Sequence, residues 1–154
     1  MYKRLLDLPA LLSHKSFFLL GPRQTGKSTL LRASLPEAVF VDLLESETFH
    51  ELSSHPERLR QRHPDRRSCL VIDEIQKLPI LLNEVQLMLD RNPSLRVVMT
   101  GSSARKLRRG AANLLGGRAW MAALNPLVSA ETAGVPLSQR LNRGGLPSIL
   151  NSQR

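Results

Sequence analysis

A glycine-rich octapeptide, GPRQTGKS at residues 21–28, has the composition of a loop that holds phosphate groups. Gly21 and Gly26 permit backbone conformations that are closed to residues with a Cβ, so consecutive N–H groups can face one anion. Lys27 supplies a cation for the terminal phosphates of a nucleotide, and Ser28 supplies a hydroxyl ligand for magnesium. We therefore predict that ATP binds to Gly21, Pro22, Arg23, Gln24, Thr25, Gly26, Lys27, Ser28 and Thr29.

Two carboxylates, Asp73 and Glu74, follow the apolar run CLVI at residues 69–72, which is typical of a buried parallel strand. Ligands of parallel sheets bind outside the carboxyl ends of the strands, so we expect Asp73 to bind Mg²⁺ together with Ser28. Glu74 is then placed to polarise the water that attacks the γ-phosphate of ATP. The alternative is an ordinary strand that ends in exposed acids.

Hydroxyl groups end a further apolar run, VVMTGSS at residues 97–103. Ser102 is our first choice for a side chain that contacts the γ-phosphate or the attacking water, with Thr100 and Ser103 after it. A helix N-cap explains these serines equally well, and the two roles can coexist.

Arginines after this run are candidates for a side chain that stabilises the negative charge of the transition state. We favour Arg118, which stands alone after Gly116 and Gly117, and we consider Arg105 second. Neither has an obvious position within its own molecule, so we expect the arginine to act on a neighbouring molecule.

Candidate strands at 17–20, 38–41, 69–72, 95–99 and 118–124 alternate with segments of helical spacing, such as 80–89. This alternation indicates βαβ units and a mainly parallel sheet with helices on both faces, which is an α/β fold of three layers. A short helix is expected at 5–12, and one or two more between 45 and 67. A length of 154 residues suits one domain.

The net charge of +9 makes nucleic acid a candidate partner. The basic residues form two clusters without interleaved aromatic residues, so a solvated basic surface is the plainer explanation. The clusters are Arg58, Arg60, Arg62, Arg66 and Arg67, and Arg105, Lys106, Arg108 and Arg109.

The sequence gives little support for a zinc site, a disulfide or a membrane-spanning segment. The spacing of His50, His55 and His63 fits no standard zinc pattern, and Cys69 lies within a strand, where we expect an inert thiol. A single cysteine excludes an internal disulfide and fits a reducing cytoplasm. No apolar run approaches the roughly 20 residues that span a bilayer, and no signal-peptide pattern is present. We expect a cytoplasmic protein without membrane contact.

Four blocks carry a family resemblance: GPRQTGKSTLL, VIDEIQKLP, VMTGSSARKLRRGAANLLGGRA and LNPLVSAE, in this order. Together they resemble the AAA+ ATPase domain of a large prokaryotic family near the archaeal-ATPase and STAND-like branches. The resemblance implies a P-loop NTPase fold with a five-stranded sheet in the order 5-1-4-3-2. It carries roles onto Lys27, Ser28, Asp73, Glu74 and Ser102. Such relatives often hydrolyse ATP at subunit interfaces, so self-association is expected.

The relatives continue well past the GGLPSIL segment into a C-terminal region of unestablished function. We expect residues 1–135 to form the ATPase core and residues 136–154 to begin that region, which is shortened here. The first functional hypothesis is magnesium-dependent ATP hydrolysis that drives or switches a partner or the C-terminal region, slow in this chain alone. The alternative is a nucleotide-binding regulatory module with negligible turnover, in which ATP is a signal for a partner or for associated nucleic acid. A P-loop kinase fits less well, because DEIQKLP supports an ATPase.

Overall fold

The computed structural model describes residues 2–62, 69–102 and 115–151, in which five strands form one parallel sheet. The strands are β1 (Ser16–Leu20), β2 (Val39–Asp42), β3 (Cys69–Asp73), β4 (Arg96–Gly101) and β5 (Ala119–Ala123). Their spatial order is β2-β3-β4-β1-β5, and each neighbouring pair is parallel. Read from the other edge, this order is 5-1-4-3-2. The predicted α/β fold and the predicted P-loop NTPase sheet are therefore confirmed.

The inner strands are apolar on both sides, and this is why the sheet is covered on both sides. Successive side chains of a strand point to opposite faces, so a continuous apolar run serves two cores. Phe17 and Leu19 of β1 pack on one side with Leu31. Phe18 packs on the other side with Leu82. The three predicted layers are present.

Helices cover these two faces in pairs. The α-helices before and after β1 in the sequence, Leu8–His14 and Lys27–Ser34, cover one face of the sheet. The α-helices before and after β3, Ser46–Ser54 and Leu81–Arg91, cover the opposite face. The α-helices of the described ranges are α1 (Leu8–His14), α2 (Lys27–Ser34), α3 (Ser46–Ser54), α4 (Leu81–Arg91), α5 (Leu137–Arg143) and α6 (Pro147–Asn151). The same ranges contain three short 3₁₀ helices, Pro56–Arg60, Ile75–Lys77 and Ser129–Thr132.

The first helix begins later than predicted. The Asp7 side chain accepts a hydrogen bond of 3.0 Å from the N–H of Ala10 and so caps α1, and Pro9 suits the first turn. Residues before this cap are not helical, and the backbone N–H of Leu5 bonds instead to Glu131. Asp7 was the local signal that fixes this boundary.

The carboxyl ends of β1, β3 and β4 meet at one edge of the sheet. The N–H of Gly21, directly after β1, donates to the carbonyl of Gly101 at the end of β4, at 3.2 Å. The loop of residues 21–26 then connects β1 to α2 along this edge. The candidate residues of the first, third and fourth strands are thereby brought together.

The segment that follows β5 folds back on itself, since the N–H of Leu127 donates to the carbonyl of Gly145 at 2.6 Å. The boundary predicted between residues 135 and 136 stays a prediction. Within the described parts of the chain, no helix combines the length and the apolar character that a membrane crossing requires.

Candidate nucleotide site at the carboxyl edge of the sheet

The phosphate loop owes its shape to two left-handed residues and to one close backbone approach. Gln24 has φ 65° and Gly26 has φ 87°, the left-handed region in which consecutive N–H groups turn toward one side. Gly21 is required because another part of the backbone approaches it closely, not because of its own backbone conformation as predicted. A Cβ there would lie 2.1 Å from the carbonyl oxygen of Leu124, so only glycine lets β1 and the end of β5 come this close.

Lys27 is the first residue of α2, and its side chain bonds to the backbone of this loop. Its side chain is only 6% exposed, and Nζ donates to the carbonyls of Gly21 at 2.8 Å and Pro22 at 3.0 Å. Burial lowers the pKa of the ammonium group, while the negative charges of Glu74 and Asp73 oppose that shift. The lysine thus places a cation beside the two carboxylates of β3.

Asp73 is held by hydroxyl groups on both of its oxygens. Ser28 Oγ donates to Oδ2 at 2.5 Å, and Thr100 Oγ1 donates to Oδ1. Asp73 is 6% exposed and Thr100 is fully buried. The predicted neighbours Ser28 and Asp73 are therefore adjacent, and the carboxylate is fixed in orientation by a hydroxyl from each side.

Thr100, a reserve candidate for the contact with the γ-phosphate, bonds to the end of β3 in the structure. Its hydroxyl bonds to Asp73 and also accepts the N–H of Glu74 at 2.9 Å, so it braces the end of β3. The register explains this contact, because Ile72 pairs with Met99 and the next residues therefore lie side by side. The strand order implied by the resemblance places β3 beside β4, so this contact could have been predicted from the sequence.

Glu74 adopts a left-handed conformation, φ 60° and ψ 45°, which is uncommon for a residue with a side chain. Its carboxylate oxygen Oε2 accepts a hydrogen bond from Gln76 Nε2, and the same nitrogen lies 3.2 Å from Ser102 Oγ. Gln76 therefore connects Glu74 to Ser102. Sequence reasoning missed Gln76, since no spacing rule relates it to either partner.

Two cavities flank the phosphate loop. One, of about 390 Å³, is lined by Lys27, Ser28, Glu74 and Leu44 among others. The other, of about 440 Å³, is lined by loop residues together with Tyr2, Arg4 and residues after β5. The loop residues Gln24, Gly26 and Thr29 line both cavities. The site thus consists of one compartment beside the carboxylates and one beside the two chain ends.

Arg118 does not reach this site within its own molecule. It precedes β5, at the amino edge of the parallel sheet, whereas the phosphate loop lies at the carboxyl edge. A strand of this length separates them by roughly 15 Å. Arg118 Nε lies 2.6 Å from Asp90 Oδ1, and its side chain is 42% exposed. Action on a neighbouring molecule stays a prediction, and the second candidate, Arg105, lies outside the described residues together with Ser103.

The first basic cluster is partly neutralised by acids. Arg58 lies 3.6 Å from Glu51, and Arg62 is also within ion-pair distance of Glu51. Arg60 lies 3.2 Å from Glu84. The other members of both clusters lie outside the described residues: Arg66, Arg67, Arg105, Lys106, Arg108 and Arg109.

The histidines and the cysteine considered in the sequence analysis lie apart from the phosphate loop in the chain. His55 lies 3.2 Å from Glu57, and His63 lies outside the described residues. No cluster of potential metal-binding His, Cys, Asp and Glu residues occurs within residues 2–62, 69–102 and 115–151. Burial raises the pKa of the Cys69 thiol to about 12, which makes it a poor nucleophile at neutral pH.

A comparison with protein families decides what kind of domain this site belongs to. A family model described as an AAA domain matches residues 13–133, which is most of the chain. The chain belongs to this AAA domain family. The match extends from the end of α1 to just beyond the Ser129–Thr132 turn. Membership in the prokaryotic AAA+ P-loop ATPases, inferred above from four sequence blocks, is thereby confirmed.

Solved structures of archaeal proteins share the fold of this AAA domain. The ORC1 protein of Aeropyrum pernix, determined in complex with DNA, is similar with a TM-score of 0.56 and 15% identity, over 83% of this chain and 44% of that chain. The ORC2 protein of Aeropyrum pernix, determined in ADPNP–ADP complexes, gives 0.56 and 13%, over 88% and 49%. This chain spans less than half of either protein. No curated protein is significantly similar to it in sequence.

Proposed function

We propose that this AAA domain binds ATP together with Mg²⁺ and hydrolyses it slowly, as a core that switches or drives a partner. The observation that carries the proposal is the Ser28–Asp73 pair, with 2.5 Å between the hydroxyl and the carboxylate oxygen, beside Lys27 in the phosphate loop. Family membership supports nucleotide binding and hydrolysis in general terms. The arrangement of Ser28, Asp73 and Lys27 supports the specific proposal of ATP bound with Mg²⁺.

The donor set fits magnesium. Mg²⁺ prefers oxygen ligands, and it usually takes one or two from the protein and the rest from water and phosphate. Ser28 Oγ and the Asp73 carboxylate would hold it, and Thr100 would keep Asp73 in the correct orientation. When bound, the ion neutralises charge on the β and γ phosphates.

The two cavities suit the two halves of ATP. The 390 Å³ cavity, with Lys27 and Glu74 in its wall, suits the terminal phosphates. The 440 Å³ cavity, on the side of Tyr2 and Thr25, suits the nucleoside. The triphosphate would then run along the loop past Gly26, whose backbone has no Cβ to obstruct it.

Hydrolysis needs a water oxygen to bond to the γ-phosphorus while the bond to the bridging oxygen breaks. We assign Glu74 to polarise that water and Lys27 to balance the charge on the phosphates. Ser102, joined to Glu74 through Gln76, would contact the γ-phosphate or the water. After inorganic phosphate and ADP are released, the Glu74 side chain would return to its earlier hydrogen bonds.

A regulatory module with negligible turnover is the second candidate, and one contact favours it. The Glu74 carboxylate already bonds to the Gln76 amide, which holds the side chain away from a free, water-polarising state. In that case ATP acts as a signal that orders the domain for a partner. Phosphate release from the purified chain separates the two candidates.

Calorimetric titration of Lys27→Ala with MgATP tests the proposal. We expect at least a hundredfold loss of affinity, since the variant removes the only side-chain cation that we place on the phosphates. Lys77→Ala is the matched control, because Lys77 lies over the Phe49 ring and outside both cavities. An unchanged Kd for Lys27→Ala would refute the assignment of the loop.

A further inference from the structure

Arg4 makes a set of contacts that the proposed chemistry does not use. Its guanidinium group donates to the carbonyl of Thr25 in the phosphate loop at 3.3 Å and to the carbonyl of Asn125 at 2.5 Å. Its Nε lies 3.1 Å from Glu131 Oε1, and the two side chains are only 7% and 5% exposed. Arg4 therefore joins the N-terminal segment, the phosphate loop and the segment after β5.

The contact with Thr25 fixes one peptide unit of the phosphate loop. In a trans peptide the C=O and the following N–H point in opposite directions, and the described chain contains no cis peptide bond. While Arg4 holds the Thr25 carbonyl on one side, the N–H of Gly26 must face the other side. Gly26 has φ 87° and no side chain, so the loop itself offers little resistance to a flip of this unit.

Glu131 in turn fixes Arg4. One carboxylate oxygen accepts the N–H of Leu5 at 2.9 Å, and the other accepts the N–H of Val128 at 3.1 Å. The carboxylate is thus bound by the backbone on both sides of the junction between the N-terminal segment and the segment after β5. A buried arginine needs such a partner, because an unpaired buried charge is strongly unfavourable.

We propose that Arg4 is a positioning residue for the phosphate loop and that Glu131 keeps it in place. The inference rests on the proposed function, because it assumes that the Gly26 N–H binds a phosphate oxygen. Its consequence is a coupling of two sites: the loop binds phosphate well only while residues 2–5 and 125–131 are docked together. Any partner that separates these segments lowers the affinity of the domain for ATP.

Magnesium tripolyphosphate is the probe that tests this role, because it occupies the phosphate loop and has no nucleoside. Its Kd and that of MgATP are measured for the wild type and for Arg4→Ala. We expect both affinities to fall by the same factor, roughly tenfold, as for the loss of a charge-assisted hydrogen bond. A loss for MgATP alone would place Arg4 on the nucleoside and overturn the inference.

Further variants separate positioning from a general loss of stability. Arg4→Lys keeps a charge beside Glu131 but cannot reach both carbonyls, so we expect it to weaken tripolyphosphate binding while it folds normally. Glu131→Gln, which does not touch the loop, is expected to weaken binding as well, and the double variant Arg4→Ala/Glu131→Gln no further than Arg4→Ala alone.

Arg96→Ala is the matched control. Arg96 also binds backbone carbonyls, those of Leu12, Pro93 and Leu95, but at the amino end of β4. It is expected to lower the melting temperature without a change in either Kd. Equal binding by the wild type and all Arg4 variants would overturn this inference alone. A wild type that binds neither ligand would overturn the proposed function with it.

Discussion

Ser28 Oγ and Asp73 Oδ2 lie 2.5 Å apart although 45 residues separate them in the chain. This hydrogen bond connects the first turn of α2 to the end of β3. Thr100 binds the other oxygen of the same carboxylate from β4, so three elements of the carboxyl edge converge on Asp73. Asp73 and Glu74 are neighbours in sequence, yet their carboxylates have separate side-chain partners, which gives them separable roles.

Asp73→Asn and Glu74→Gln are expected to affect different steps. Asp73→Asn removes the charge beside Ser28, so ATP binding should lose most of its dependence on magnesium. Glu74→Gln keeps the shape of the side chain but cannot polarise water, so turnover should fall by about 10²–10⁴ while the Kd for MgATP stays within a factor of about two. Titrations with and without Mg²⁺ and phosphate-release assays measure both. Identical behaviour of the two variants would contradict this division of roles.

Gln76→Ala is expected to raise the turnover of ATP. The Gln76 amide binds the Glu74 carboxylate, and removing a hydrogen bond to a charged group, of about 1.5–3 kcal/mol, frees that carboxylate for water. A free-energy difference of this size corresponds to a roughly ten- to hundredfold faster steady-state release of phosphate, which we expect with an unchanged Kd for MgATP. Gln86→Ala, on α4, is the control. A slower Gln76→Ala enzyme would mean that the amide orients Glu74 for catalysis rather than restraining it.

The turnover per molecule is expected to rise with protein concentration, because Arg118, the favoured candidate arginine, lies at the wrong edge of the sheet for its own site. Arg118→Ala should abolish that rise. Asp90→Ala is a sharp control, since it breaks the same ion pair but leaves the arginine available to a neighbouring molecule. A rate that is independent of concentration and equal in all three proteins would exclude the trans-acting arginine.

Nucleic-acid binding, if it uses the first basic cluster, is expected to weaken steeply with salt. Replacement of Arg58, Arg60 and Arg62 by alanine should flatten the slope of log K against log salt. Glu51→Gln should strengthen binding, because it frees Arg58 and Arg62 from their shared acid. Fluorescence anisotropy with a labelled DNA or RNA oligonucleotide over a salt series gives these slopes. Weak binding that none of these changes affects would leave a solvated basic surface.

The sequence alone determined the parts of this protein that depend on neighbours in the chain. The phosphate loop between a buried strand and a helix, and the acids that end β3, are contiguous motifs whose chemistry follows from residue type and spacing. Apolar runs without alternation predicted parallel strands, and the structure has them within one or two residues of the expected positions. The strands β1, β3 and β4 are buried, whereas the edge strand β5 is largely exposed. The strand order came from the family resemblance, not from periodicity.

Apart from the predicted Ser28–Asp73 pair, only the tertiary structure decided which distant side chains meet. Arg4 and Glu131 pair although they are 127 positions apart, a contact that no local pattern encodes, because it arises from the packing of the N-terminal segment against the segment after β5. Arg118 shows the converse, since its isolated position in sequence suggested function but the direction of β5 places it at the opposite edge. Side-chain contacts between elements depend on strand register and direction, and these are set by the whole fold.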